Sequence, residues 1–269
     1  MCSSDWQIAA TLGAMTERTN DQFKKGAGRM LTGCAGWSIA RDSVASFPAE
    51  GSHLERYASV FAAVEINSSF YRSHRAKTYE KWAHCVPDDF RYSVKLPRTI
   101  SHDAKLVDID APLHQFAGEV DALGHKLGCI LVQLPPKLVF NRDVAAPFLD
   151  QLYVTFKCMI ALEARNASWF EDGATALLRE REVTRVIADP AKGQDGPHVP
   201  TTADIYARLH GSPRIYYSSY EADYLTQLAQ DMCVHSAAGR TVWTIFDNTA
   251  SGAATSNALA VGAAAPARL

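Results

Sequence analysis

The chain has no cysteine pairing pattern. Its six cysteines, Cys2, Cys34, Cys85, Cys129, Cys158 and Cys233, form no CxxC and match no zinc-module spacing, so neither a disulfide framework nor a zinc ribbon is indicated. Cys34, Cys129 and Cys158 lie in or beside apolar strand candidates, which suits buried free thiols in a reducing compartment. Long apolar runs are missing too. None approaches the ~20 residues of a membrane helix, and residues 1–29 lack the apolar core of a signal peptide and carry acids early. The cytoplasm is the expected compartment, with no membrane partner. No charge sign dominates: 27 basic and 29 acidic residues leave a net charge of −2. That balance gives no field for wrapping nucleic acid and argues against it as a partner. Only the weak cluster Lys24, Lys25 and Arg29 runs the other way. HxH and HExxH are absent, and no GxGxxG follows the first strand.

What is present is a repeated strand design. In Met159-Ile-Ala-Leu-Glu-Ala-Arg-Asn166, period-2 alternation puts Ile160, Leu162 and Ala164 on one face and Ala161, Glu163 and Arg165 on the other. An apolar strand thus ends with a carboxylate and a guanidinium pointing the same way. The design recurs at Val64-Glu-Ile-Asn67, Val94-Lys-Leu96, Leu131-Val-Gln133, Ile187-Ala-Asp189, Ala207-Arg-Leu-His210 and Ile245-Phe-Asp-Asn248. Strands that each finish in a polar residue describe a sheet with one functional edge.

Eight strands are expected, near 30–37, 62–69, 90–97, 129–134, 159–166, 183–189, 203–209 and 241–246. Helices are expected between most of them. Ser52 and Glu55 form a capping box for the first, Gly128 marks the stop of the one over 111–127, and Gly239 stops the one over 221–238. A short last helix is expected at 257–261. Residues 98–110 read as a long polar loop, and 190–200, rich in Gly and Pro, as a loop with little or no helix. The alternation predicts an α/β fold with a parallel sheet. Eight units in 269 residues point to a single-domain (β/α)8 TIM-like barrel over 30–262 with an irregular or missing sixth helix. An open doubly wound sheet is the alternative. Residues 1–29 read as a poorly ordered extension with a short helix at 8–15, and 263–269 as a frayed tail.

The segments Gly33-Cys-Ala-Gly-Trp-Ser38, Val64-Glu-Ile-Asn-Ser-Ser-Phe-Tyr-Arg72, Tyr92-Ser-Val-Lys-Leu-Pro-Arg98, Val132-Gln-Leu-Pro-Pro136, Ser168-Trp-Phe170, Ala207-Arg-Leu-His-Gly211 and Ile245-Phe-Asp-Asn-Thr-Ala-Ser-Gly-Ala-Ala254 carry a resemblance. Over about 31–261 the chain resembles the YecE-like proteins, a bacterial and archaeal group known as domain of unknown function 72. The resemblance implies a TIM-barrel-like fold and no established activity.

A barrel would gather the strand ends at one mouth. The expected catalytic candidates are Glu65, Lys95, Glu163, Asp189 and His210, as proton carriers or, for Lys95, as a base or imine former. Arg165 and Arg208, with Lys95, suit an anionic small molecule, phosphorylated or carboxylated. Asn67, Gln133, Asp247 and Asn248 add polar contacts at strand ends, and Ser251 and Gly252 a small-residue loop before a helix. Trp37, Tyr71 and Trp169 are candidate walls, with packing under the loops as their alternative. His102 is a candidate lid residue. The rival to a pocket is that the charges pair, Glu163 with Arg208, and plug the barrel. No cofactor is expected. A divalent metal on the carboxylates, in a hydrolase or nuclease, stays as an alternative that the three cations oppose. A non-catalytic ligand- or nucleic-acid-binding module is the third reading. Reaction class and oligomeric state are left open.

Overall fold

Side-chain alternation along the strands sets up two separate cores. The computed structural model describes residues 28–264. The N-terminal extension, its short helix and Lys24 and Lys25 lie outside them, as do tail residues 265–269. The strands are β1 (Arg29–Cys34), β2 (Ala63–Ile66), β3 (Arg91–Lys95), β4 (Leu127–Gln133), β5 (Met159–Glu163), β6 (Thr184–Arg185), β7 (Ile187–Asp189), β8 (Ile205–Leu209) and β9 (Thr241–Phe246). The α-helices are α1 (His53–Ala58), α2 (Ala76–His84), α3 (Asp110–Val120), α4 (Arg142–Thr155), α5 (Asp172–Glu180), α6 (Ala222–Ala237) and α7 (Ala253–Ala264). None is long and apolar enough to cross a membrane. Ile160 and Leu162 join the large outer core against the helices, while Ala161 joins a smaller inner cluster with Leu31, Ala63, Cys129, Leu131, Val186, Tyr206, Trp243 and Ile245.

All strand pairs are parallel. They form two sheets, β1-β9-β8-β7 and β2-β3-β4-β5-β6. The expectation of one closed eight-stranded sheet is therefore corrected. The strand expected over 183–189 is broken at Val186. Its first part pairs with β5 and its second with β8, so no continuous ladder crosses there. At the other seam a single bridge joins Ala35 to Glu65, with the Gly36 N–H donating to Glu65 O at 2.9 Å.

Local chemistry accounts for the remaining differences. Gly128 sits inside β4, and the chain kinks instead at Gly124, where φ is +56°. The stretch after β3 is not a simple loop. Thr99–Asp103 makes a turn of π-helix that buries Ile100 and Ser101. The last helix starts earlier than expected, at Ala253. The Ser52–Glu55 capping box forms in full. No helix lies between β7 and β8.

The Ala35–Glu65 seam depends on Tyr57 of α1. Its hydroxyl donates to Ala63 O at 3.0 Å and accepts from the Cys34 N–H at 2.7 Å. A Cβ on Gly33 would lie 1.9 Å from Ala63 O, so only glycine lets the two backbones approach. Removing the hydroxyl in Tyr57→Phe leaves a buried N–H without a partner. We expect a loss of about 1–3 kcal/mol in denaturant unfolding, and a value near zero would show that the seam does not need this link.

Candidate functional site

Parity along each strand decides which polar residues meet. The inner positions run on from the apolar cluster toward the strand C-termini: Ala63 to Glu65, Ser93 to Lys95, Leu131 to Gln133, Ala161 to Glu163, Tyr206 to Arg208 to His210, and Ile245 to Asp247. Arg208 is the centre. It has no exposed surface. Its Nε donates to Glu65 Oε2 at 2.8 Å, and its Nη2 to Glu65 Oε1 at 2.7 Å and Asp247 Oδ2 at 3.0 Å. Its Nη1 donates to Glu163 Oε2 at 2.5 Å and approaches Gln133 Oε1 at 3.5 Å. All five guanidinium N–H groups are thereby directed at protein oxygens. Tyr206 Oη lies 3.1 Å from Glu65 Oε2 and 2.7 Å from Ser93 Oγ.

A second layer faces outward. Arg165 Nε and Nη2 sit 2.9 and 2.8 Å from Glu163 Oε1. His210 Nδ1 is 3.0 Å from Asp247 Oδ2. Its Nε2 is 3.4 Å from Glu163 Oε1, close enough for charge attraction, but it is not aligned for a hydrogen bond. Burial raises the Glu163 and Asp247 carboxyls, but Arg208 and His210 more than offset it, and both are held below the usual range. Burial lowers His210, and its hydrogen bond to Asp247 together with the nearby Glu163 charge reverses this to a raised value. Burial and Arg208 bring Lys95 down to about 8, against the pull of the three carboxylates.

A small cleft opens beside Arg165 and His210. It is lined by Glu163, Ala164, Arg165, Ala188, Pro190, Lys192, His210, Ile215 and Tyr216 and has a volume of about 10 Å³, room for about one water. Glu65, Glu163 and Asp247 converge on a guanidinium. A divalent cation would have to displace it, and no group of three or more His, Cys, Asp or Glu among the described residues is placed to hold a metal ion.

A family model described as "Protein of unknown function DUF72" matches residues 31–268. The chain belongs to the DUF72 family. Among curated relatives, this DUF72 chain is similar to the UPF0759 protein YecE of Escherichia coli, 33% identical over 143 residues, 51% of this chain and 52% of that one. It is also similar to the UPF0759 protein YunF of Bacillus subtilis, 28% identical over 144 residues, 51% of each. The matched stretch spans about half the length of these curated relatives. Crystal structures of two DUF72 family proteins share the fold. One, from Enterococcus faecalis, has a TM-score of 0.74 at 20% identity, covering 90% of this chain and 97% of that one. The other, from Thermotoga maritima, has a TM-score of 0.70 at 24% identity, covering 86% and 96%.

Other sequence candidates stand apart from the DUF72 inner cluster. Asp189 pairs in register with outward Leu209, and its carboxylate accepts from Tyr220 and Tyr224 at 3.3 and 3.0 Å. Trp169 is buried, donating to Leu138 O at 3.0 Å with its ring edge-on to Phe140. Trp37 packs edge-on against Trp82. Tyr71 is 72% exposed, and Phe70 lies edge-on both to it and to His102. The Asn248 amide donates to Ser218 O and Asn257 Oδ1. Its own Oδ1, like that of Asn67, is buried without a partner. Ser251 donates to Tyr217 O, and Gly252, at φ +84°, makes the turn into α7. Sequence reasoning missed Lys192 and Tyr216, which lie in stretches without periodicity. It also missed Tyr206, which two-residue spacing from Arg208 would have placed on the inner face.

Proposed function

We propose that the chain is an enzyme that performs acid–base chemistry on a small anionic molecule at this cleft. One observation carries the reading: the cleft presents Arg165, Lys192 and His210, while its single carboxylate, Glu163, is already bound by Arg208 and Arg165. The charge left for a ligand is positive, and guanidinium and ammonium groups suit a carboxylate or phosphate. His210 supplies the acid. Asp247 orients its ring through Nδ1, and Nε2 is a buried nitrogen without a hydrogen-bond partner. Once it has given up that proton, the same imidazole is the base. Arg208 with Glu65 and Asp247 holds these groups in place and does not touch the ligand. Anything larger than water must move Lys192 or Tyr216, both on stretches without helix or strand.

The reading includes a barrel-like enclosure, one domain over about 30–262, in which the two sheets meet at the Ala35–Glu65 bridge and around Val186. Convergence of inner residues from both sheets on Arg208 supports it. The test is thermal unfolding with inorganic phosphate, sulfate and small carboxylates. An anion at about 100 times its Kd stabilises by ~2.7 kcal/mol. We expect wild type to respond and Arg165→Met to lose most of the response. It should remain folded, since Glu163 keeps Arg208. If no anion stabilises wild type, or if the variant responds equally, the anionic reading is wrong.

A further inference from the structure

Two arginines are buried among the described residues, and their surroundings differ. Arg208 meets three carboxylates. Arg185, 2% exposed, meets none among the described residues. Its Nη1 donates to Val199 O at 3.1 Å, and its Nη2 to Trp169 O at 3.0 Å and Thr175 Oγ1 at 2.8 Å. All three acceptors are neutral. Its Nε is buried and finds no acceptor among the described residues. The Phe170 ring, its centre 5.3 Å from Cζ, offers a face but no full charge. Arg185 pairs in register with outward Leu162, so it lies on the opposite face of the strands from Arg208. Residues 199–201 cover it there, with Thr201 Oγ1 accepting from the Arg185 backbone N–H at 2.8 Å.

Donors collect around this guanidinium. Thr175 Oγ1 accepts from Nη2, and no acceptor among the described residues takes its own proton. His198 Nδ1 is buried without a partner, and His198 precedes Val199, whose carbonyl Arg185 holds. Burial and then Arg185 lower His198 to about 4, so the ring is neutral at pH 7 and can carry its proton on Nδ1. Burial and then Arg179 bring Arg185 to about 10, which leaves it cationic. A water accepting from these donors would leave that charge unmatched, and a buried cation without a counter-charge is costly. An anion satisfies both the donors and the charge.

We propose that Arg185 Nε, Thr175 Oγ1 and His198 Nδ1 form a site for one chloride-sized monovalent anion, separate from the cleft and independent of its reading. The anion neutralises Arg185 and joins β6, α5 and the segment 190–201 at one point. That segment also carries Lys192 to the cleft, so the same anion steadies one of its walls.

The test exchanges gluconate for chloride at constant ionic strength and follows thermal unfolding of the full-length protein. We expect the wild-type midpoint to rise by about 5 °C and to saturate with chloride. Bromide should substitute for chloride. Arg165→Met should keep the response, which separates this site from the cleft. Thr175→Val keeps the side-chain shape and should bind chloride about fivefold more weakly. Arg185→Met should lose the response. If that variant does not fold, wild-type crystals soaked in bromide decide, with an anomalous peak expected within about 3.5 Å of Arg185 Nε. No rise, a rise that does not saturate, or one that Thr175→Val and Arg185→Met share in full overturns the site. Bromide on exposed surfaces alone, an adventitious ion only, also overturns it. A response lost in Arg165→Met places the anion in the cleft, which overturns this site and leaves the reading of the cleft standing.

Discussion

Arg208→Met is expected to destabilise the fold by about 3–5 kcal/mol, the usual effect of leaving buried charge without its partner. The cause is specific. Arg208 is the common partner of Glu65, Glu163 and Asp247, all with little or no exposed surface. Methionine fills similar volume, so the effect is electrostatic and should follow pH. In wild type the Glu163 and Asp247 carboxyls are held below their ordinary values of 4.5 and 3.8. Their stabilisation is present above those values and is lost as pH falls through the depressed folded ones. Without Arg208, burial dominates and raises both. An ionised carboxylate then destabilises the variant, and acid relieves the effect as the groups take up protons. His210, raised above 6.5, contributes below that value in wild type and loses its contribution as pH rises through its folded value. The gap between the two proteins should therefore narrow from about pH 8 to pH 5 in urea unfolding. A gap under about 1 kcal/mol, or one that does not narrow, would mean that the cluster does not depend on this guanidinium.

That cluster was half visible in the sequence. Two-residue periodicity was enough to put Glu65, Lys95, Gln133, Glu163 and Arg208 on one face, because a buried strand cannot slip by one residue without turning its core outward. The same rule, applied strictly, removes Asp189. Val186 and Ala188 are inner, so Asp189 is outer, where Tyr220 and Tyr224 hold it. A polar residue at a strand end is a weaker signal than its parity. Nothing local showed that Arg208 is enclosed by three carboxylates and the Gln133 amide at once, because that follows from four strands meeting. Nor was the break at Val186 legible, since β6 and β7 read as one apolar run. Lys192 and Tyr216 reach the cleft from irregular segments, where spacing carries no directional information.

Trp169→Ala separates the two roles that sequence allowed for the aromatic candidates. A tryptophan after a strand end can wall a ligand or pack beneath the loops. Trp169 is 1% exposed, its Nε1 donates to Leu138 O, and its ring meets Phe140 at 5.1 Å. Truncation opens a cavity and strands a buried carbonyl, an expected loss of about 3–5 kcal/mol. In conditions where the variant is still folded, its stabilisation by phosphate should match that of wild type, because Trp169 does not line the cleft. Tyr71→Ala should behave in the opposite way, with stability unchanged within about 0.5 kcal/mol, since that ring is 72% exposed. If Trp169→Ala stays near wild-type stability but loses its anion response, the indole belongs to the ligand site, and the boundary between core and cleft lies elsewhere.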